Sequence, residues 1–172
     1  IHIYNNKFVG IGNYQLIAQG GLHSDIRFYN NKSIGCIRGV GLGRSESGSG
    51  KGVIVRDNEF IFKEIGGVQT TPIPVALKVD GFYTGVRVSD NYINTTLSNS
   101  STVGVPALQF ECEVTDSSMT NNIITGSGND GGIWLTVGQV DSVNTKQGPC
   151  RNIKIRGNII NCTGLGIFTE MC

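Results

Sequence analysis

Val86-Arg-Val-Ser-Asp-Asn91 sets apolar residues in alternation with polar ones and closes on an aspartate and an asparagine. A period of two marks a strand that buries one face. The Asp-Asn pair belongs in a turn, where short polar side chains bond neighbouring backbone. The same design recurs in Ile1-His-Ile-Tyr-Asn-Asn6, Ile26-Arg-Phe-Tyr-Asn-Asn31, Val53-Ile-Val-Arg-Asp-Asn58, Ser117-Ser-Met-Thr-Asn-Asn122 and Ile153-Lys-Ile-Arg-Gly-Asn158. Every copy ends on asparagine.

The intervals between those asparagines are 25, 27, 33, 31 and 36 residues. They are too irregular for leucine-rich or ankyrin repeats but suit a coil with loops of different length. The pairs Ile1/Ile3, Ile26/Phe28, Val53/Val55, Val86/Val88, Ser117/Met119 and Ile153/Ile155 are expected to point inward. Two residues past each asparagine stands another apolar side chain, Phe8, Phe60, Ile93, Ile124 or Ile160, with Ser33 as the exception. The asparagines between are expected to take the left-handed turn conformation and to stack their amides into an internal ladder. A structural role is thus expected for Asn6, Asn31, Asn58, Asn91, Asn122 and Asn158.

A second strand follows in each repeat: Gln15-Leu-Ile-Ala-Gln19, Cys36-Ile-Arg-Gly-Val40, Ala76-Leu-Lys-Val-Asp80, Ala107-Leu-Gln-Phe-Glu111, Gly132-Ile-Trp-Leu-Thr136 and Gly166-Ile-Phe-Thr-Glu170. These segments align without gaps. No amphipathic stretch is long enough for the helical crossover of an α/β fold, so each strand is expected to pair with its equivalent one repeat later. The expected architecture is all-β, a parallel β-helix solenoid of about six coils forming one domain over residues 1–172.

Composition agrees with that reading. Twenty-five glycines, four prolines and 16% charged residues describe tight turns and short strands. A net charge of +1 supplies no global attraction to nucleic acid, and neither that partner nor membrane insertion is expected. The chain opens on Ile1 without a signal-peptide pattern, so it is expected to be a fragment of a longer polypeptide, which leaves secretion open. The five cysteines, Cys36, Cys112, Cys150, Cys162 and Cys172, show no metal-ligand spacing; no metal and no cofactor are expected. They are either buried thiols or include one bridge involving Cys150 and Cys162. The glycine-rich stretch from Gly41 to Gly52 lacks the ending of a phosphate loop and is expected to be a flexible loop. Glycosylation triplets stand at Asn94, Asn99 and Asn161, and chance accounts for them equally well.

The repeated Val-x-Val-x-[Asn/Asp]-Asn unit, spread over nearly the whole chain, resembles the pectin-lyase-like superfamily of polysaccharide lyases, polygalacturonase-type hydrolases and phage tailspikes. The resemblance implies a right-handed β-helix and a polysaccharide partner. The paired aspartates and Gly-His-Gly turn of polygalacturonases are missing, and Arg151-Asn-Ile-Lys154 is only loosely similar to their Arg-Ile-Lys element. The grouped acids of calcium-dependent pectate lyases are missing too, since Asp57 and Asp90 stand one per repeat. The tailspike resemblance demands no fixed motif. It implies a depolymerase, either glycoside hydrolase or lyase, on a virion surface or outside the cell, and a homotrimer.

Solenoids work through outward side chains. On the second strand these are expected to be Ile17/Gln19, Arg38/Val40, Lys78/Asp80, Gln109/Glu111, Trp134/Thr136 and Phe168/Glu170. Asp80 and Glu111 would then lie on neighbouring strands about 4.8 Å apart. Two carboxylates so placed form the acid and base of glycoside cleavage, and Asp80 and Glu111 are the catalytic candidates; solvated strand-end charges are the alternative. Lys78 would moderate their repulsion or hold an anionic sugar. Arg38 and Gln109 join it as substrate-binding candidates. Trp134 is a sugar platform in this register and a core residue after a slip of one position. Tyr83 is a second platform or a loop-packing residue. The outward row of the first strand, His2, Tyr4, Arg27, Tyr29, Arg56, Arg87, Lys154 and Arg156, either grips an acidic polysaccharide or is a solvated face. His2 and His23 have no nucleophile beside them, so triad chemistry is not expected. The rival to a depolymerase is a non-catalytic adhesin or structural rod with the same fold.

Overall fold

Alternating side chains are realised as short parallel strands, numbered in chain order, in a computed structural model that describes residues 1–43, 48–62, 75–95, 106–126, 131–137, 148–162 and 164–170. No helix occurs among the described residues. A first row contains β1 (His2–Tyr4), β5 (Arg27–Tyr29), β9 (Ile54–Arg56), β13 (Arg87–Ser89), β16 (Thr115–Thr120) and β19 (Arg151–Arg156). The second contains β2 (Lys7–Val9), β6 (Lys32–Cys36), β10 (Glu59–Phe62), β14 (Tyr92–Asn94), β17 (Ile123–Thr125) and β20 (Ile159–Asn161). The third contains β3 (Leu16–Ala18), β7 (Arg38–Gly43), β11 (Val75–Asp80), β15 (Pro106–Glu111), β18 (Gly131–Thr136) and β21 (Ile167–Thr169). A short fourth row, β4 (Leu22–Ser24), β8 (Ser49–Lys51) and β12 (Phe82–Thr84), merges with the first through the long β16, which leaves three parallel sheets. Each strand bonds its counterpart in the next repeat, an arrangement compatible with a β-solenoid.

The inward pairs named from sequence line one core, except Ile1, which at the open end of the stack is 65% exposed. Ile26, Phe28, Val53, Val55, Val86, Val88 and Met119 are all at most 1% exposed, whereas Ile3, Ile153 and Ile155 in the outer repeats are half-buried. Ser33, the polar exception, lies between Phe8 and Phe60 in register. Phe28 makes good the missing volume, its ring stacking 5.9 Å from Phe8 and 6.2 Å from Phe60. The Ser33 hydroxyl donates to Gln15 Oε1 at 2.6 Å.

The asparagine ladder is continuous. Side-chain amide to amide bonds run from Asn6 to Asn31, Asn31 to Asn58, Asn58 to Asn91, Asn91 to Asn122 and Asn122 to Asn158, at 2.9 to 3.2 Å. Each Oδ1 also accepts the backbone N–H of the preceding ladder residue. Asn58, Asn91, Asn122 and Asn158 add a bond to a carbonyl in the preceding repeat. The left-handed backbone belongs to the residue before the ladder and not to the ladder asparagine: Asn5, Asn30, Asp57, Asp90, Asn121 and Gly157 take φ between 55 and 69°. One residue makes the turn, which frees the next to point its amide inward.

Several further expectations are corrected. Cys36-Ile-Arg-Gly-Val40 does not align with Ala76-Leu-Lys-Val-Asp80, because Gly41 pairs with Lys78 and Gly43 with Asp80. The frame shifts by three residues, and Val40, expected outward, is fully buried. Its neighbours explain the shift. A Cβ on Gly41 would lie 2.6 Å from the Tyr14 ring, and one on Gly43 would meet the Asp80 carbonyl, so both outward positions accept only hydrogen. Tyr83 is 1% exposed within β12 and serves the core, not a substrate. The two ends of the glycine-rich stretch, Gly41–Gly43 and Ser49–Lys51, are strand, while 44–47 lie outside the described residues. Cys36, Cys112 and Cys150 are buried thiols, and the Cys150 thiol donates to the Cys112 carbonyl at 3.1 Å instead of bridging to Cys162. Cys172 and the triplet at Asn99 lie outside the described residues.

Candidate functional site

The outer face of the third row carries a cleft of about 390 Å3. Its floor is one register column, Ile17, Gly41, Lys78, Gln109 and Trp134, joined by successive parallel pairings. Asp80 and Glu111 are direct partners on the neighbouring column, which places them one strand spacing apart as expected from sequence. Gly41 leaves the floor without a side chain, and Tyr14 lies across the opening with the Arg38 guanidinium stacked 4.9 Å from its ring centre. Trp134 borders the other end and meets Phe168 at 5.4 Å.

Six of the seven candidates therefore converge: Asp80, Glu111, Lys78, Gln109, Arg38 and Trp134 all line this cleft. Tyr83 does not. Arg38 reaches it from the first position of β7, opposite Val75, and not from the Lys78 column where the ungapped alignment had put it. The half-buried Trp134 takes the outward register. Tyr14 was missed because it lies outside both strand patterns. The paired outward glycines of β7 are the signal that something bulky lies over them.

Lys78 is the electrostatic centre. Its Nζ is 2.6 Å from Glu111 Oε2 and 3.7 Å from Asp80 Oδ2, with the three side chains 18 to 30% exposed. Burial works against the charge of Lys78, but the Glu111 ion pair and hydrogen bond, with Asp80 behind them, outweigh it and hold its pKa above the ordinary lysine value. Gln109 Nε2 lies 3.4 Å from Glu111 Oε2 and 3.3 Å from Thr136 Oγ1. The Cys112 thiol, in the left-handed region at φ 68°, donates to Asp80 Oδ1 at 3.1 Å. Burial, that hydrogen bond and the charges of Asp80 and Glu111 push the Cys112 pKa far up, so it stays a protonated donor and not a nucleophile.

The arrangement is thus an ammonium held between two carboxylates, each fixed by a further donor, with an aromatic ring at either end. No group of three or more metal-ligating side chains occurs among the described residues. Comparison with protein-family models, curated proteins and solved structures gives no match for this chain.

Proposed function

We propose that the chain is a right-handed parallel β-helix of about six coils, of the pectin-lyase-like kind, that binds a polysaccharide in the third-row cleft and cleaves it. The observation that carries this reading is the meeting of Asp80, Glu111 and Lys78 between the rings of Tyr14 and Trp134. Flat rings suit the apolar faces of sugars. Cleavage of a glycosidic bond needs one group to protonate the leaving oxygen and a second carboxylate on the other side of the reacting carbon. Asp80 and Glu111 take those roles, and Lys78 holds them in place before substrate arrives. The 3.7 Å Lys78–Asp80 contact is the looser of the two and is the one a sugar hydroxyl or acidic group displaces.

The tailspike resemblance adds a homotrimer at a virion surface or outside the cell to this proposal. A non-catalytic adhesin is the second reading, and one observation favours it: the 2.6 Å ion pair commits Glu111 to Lys78.

Incubation with a panel of capsular, pectic and alginate polymers separates the readings. New reducing ends without unsaturation mark a hydrolase, new reducing ends with unsaturated partners a lyase, and retention without cleavage a binder. On a polymer that the wild type degrades, Asp80→Asn and Glu111→Gln are each expected to lower turnover by at least ~100-fold with the fold intact. Glu170→Gln, on the same sheet but outside the cleft, is expected to do much less. Full activity in both cleft variants would remove Asp80 and Glu111 from catalysis.

A further inference from the structure

The first row turns a second face to solvent, remote in register from the cleft. One of its outward columns reads His2, Arg27, Ile54, Arg87, Ser118 and Lys154, fixed by five successive pairings. Cations occupy alternate positions at Arg27, Arg87 and Lys154. All three are exposed, and none forms an ion pair among the described residues. The parallel column two residues along holds Tyr4, Tyr29, Arg56, Ser89, Thr120 and Arg156. There Tyr4 and Tyr29 stack at 5.0 Å, and Arg56 covers Tyr29 at 5.3 Å while pairing with Asp57 at 2.6 Å. Neither column contains a carboxylate. The acids that flank these columns along the chain are Asp57, bound by Arg56; Asp116, within β16, which accepts the Asn152 amide at 2.6 Å; and Asp25 and Asp90.

Two strand spacings separate successive cations of the first column, roughly 9.6 Å from Arg27 to Arg87 and again from Arg87 to Lys154. Two extended pyranose rings cover about that length. We propose that this face is a second, non-catalytic binding site for a linear anionic polysaccharide carrying one acidic group per disaccharide, with its axis along the stack. Arg27, Arg87 and Lys154 each meet one acidic group, and the neutral sugars between them lie over Ile54 and Ser118. The Tyr4–Tyr29 stack supplies an apolar shelf for ring faces beside the first cation. Nucleic acid fits less well, because its phosphates recur at every nucleotide while these cations skip every second repeat. The site is independent of the cleft chemistry: it serves a depolymerase by holding the chain near the cleft, and an adhesin as its principal contact.

Binding of the full chain to hyaluronan, which alternates one uronate with one neutral sugar, tests the proposal at low and high salt. The neutral polymer dextran and single-stranded DNA are the comparisons. Wild type is expected to bind hyaluronan in a salt-sensitive manner and dextran much more weakly. Arg27→Gln/Arg87→Gln/Lys154→Gln is expected to weaken binding by about tenfold, while Lys7→Gln/Lys32→Gln, which removes cations from the second-row face, leaves it within about twofold. The single variant Arg87→Gln, expected to lose about threefold, decides the matter should the triple variant melt early. Equal loss in the second-row variant would reduce the effect to net charge. Equal or tighter binding of DNA would overturn the polysaccharide assignment. No binding of hyaluronan at low salt would overturn the site itself.

Discussion

Val88 has no exposed surface and stands between Val55 and Met119 in the inward column of the first row. A carboxylate placed there meets no partner, so Val88→Asp is expected to cost at least ~3 kcal/mol and to lower the Tm by roughly 10 °C or more. An unchanged melting curve would contradict the register. Three buried or half-buried groups set the alkaline limit. Burial pushes the Tyr83 phenol up; the Gly43 backbone hydrogen bond pulls the other way by less, and the Asp80 charge adds the smallest push upward. Cys112 and Lys78 are raised as well. All three hold their protons more tightly when folded, so unfolding releases protons once the pH exceeds the ordinary values of 9.0, 10.0 and 10.5. Their stabilisation is complete below that window and is lost as pH rises through the folded values. Melting temperature measured from pH 7 to 11 is expected to fall above about pH 9, with a shallower fall in Tyr83→Phe. Parallel curves for the two proteins would remove Tyr83 from the account.

At the scale of the element, the ladder ties one repeat to the next where no strand does. Asn91 Oδ1 accepts from the backbone N–H and the side-chain amide of Asn58, and its own amide donates to Asn122 Oδ1 and the Val55 carbonyl. Asn91→Ala strands several of those groups away from water at once. The expected loss is about 3 kcal/mol by urea denaturation, against under about 1 kcal/mol for Asn6→Ala, where solvent can replace the lost partners. Similar values at the two sites would mean that the ladder is decorative. Its spacing from the turn residue also has a reason. A residue at φ near 56° aims its own side chain outward, as Asn30 and Asp57 do, and only the following position can face the core.

At the scale of the molecule, burial is graded along the stack. Ile1 and Ile167 are 65% and 52% exposed, whereas the equivalent positions in the middle repeats, Ile26, Val53 and Val86 for the first and Ile133, Leu108 and Leu77 for the second, are at most 1% exposed. In the 172-residue chain, amides of β9, β13, β14 and β15 are expected to exchange at least ~100-fold more slowly than those of β1 to β4, about 3 kcal/mol in opening free energy. Uniform protection would show that the repeats open as one unit. The same grading puts the Asp80–Glu111 pair in the best-supported part of the stack, where strand neighbours on both sides fix the geometry on which the proposed chemistry depends.

The period-two alternation and the six Asn-terminated segments by themselves determined the strands of the first row, their inward pairs apart from Ile1, and the ladder. Each of these follows from local geometry repeated at every turn. The pairing of Asp80 with Glu111 was legible for the same reason, since β11 and β15 carry the same motif in the same frame. Only the tertiary structure placed β7. Its outward glycines carry no polarity to align, and their requirement comes from Tyr14 and the Asp80 backbone, which are 27 and 37 residues away from Gly41 and Gly43 in opposite directions along the chain. Tyr83 was undecidable for a related reason. An aromatic just past the end of a strand, here beside Phe82, reads equally as platform or core until the neighbouring strands are in place. The central position of Lys78 likewise depended on side chains from two repeats closing on one ammonium, a distance that no single segment of sequence encodes.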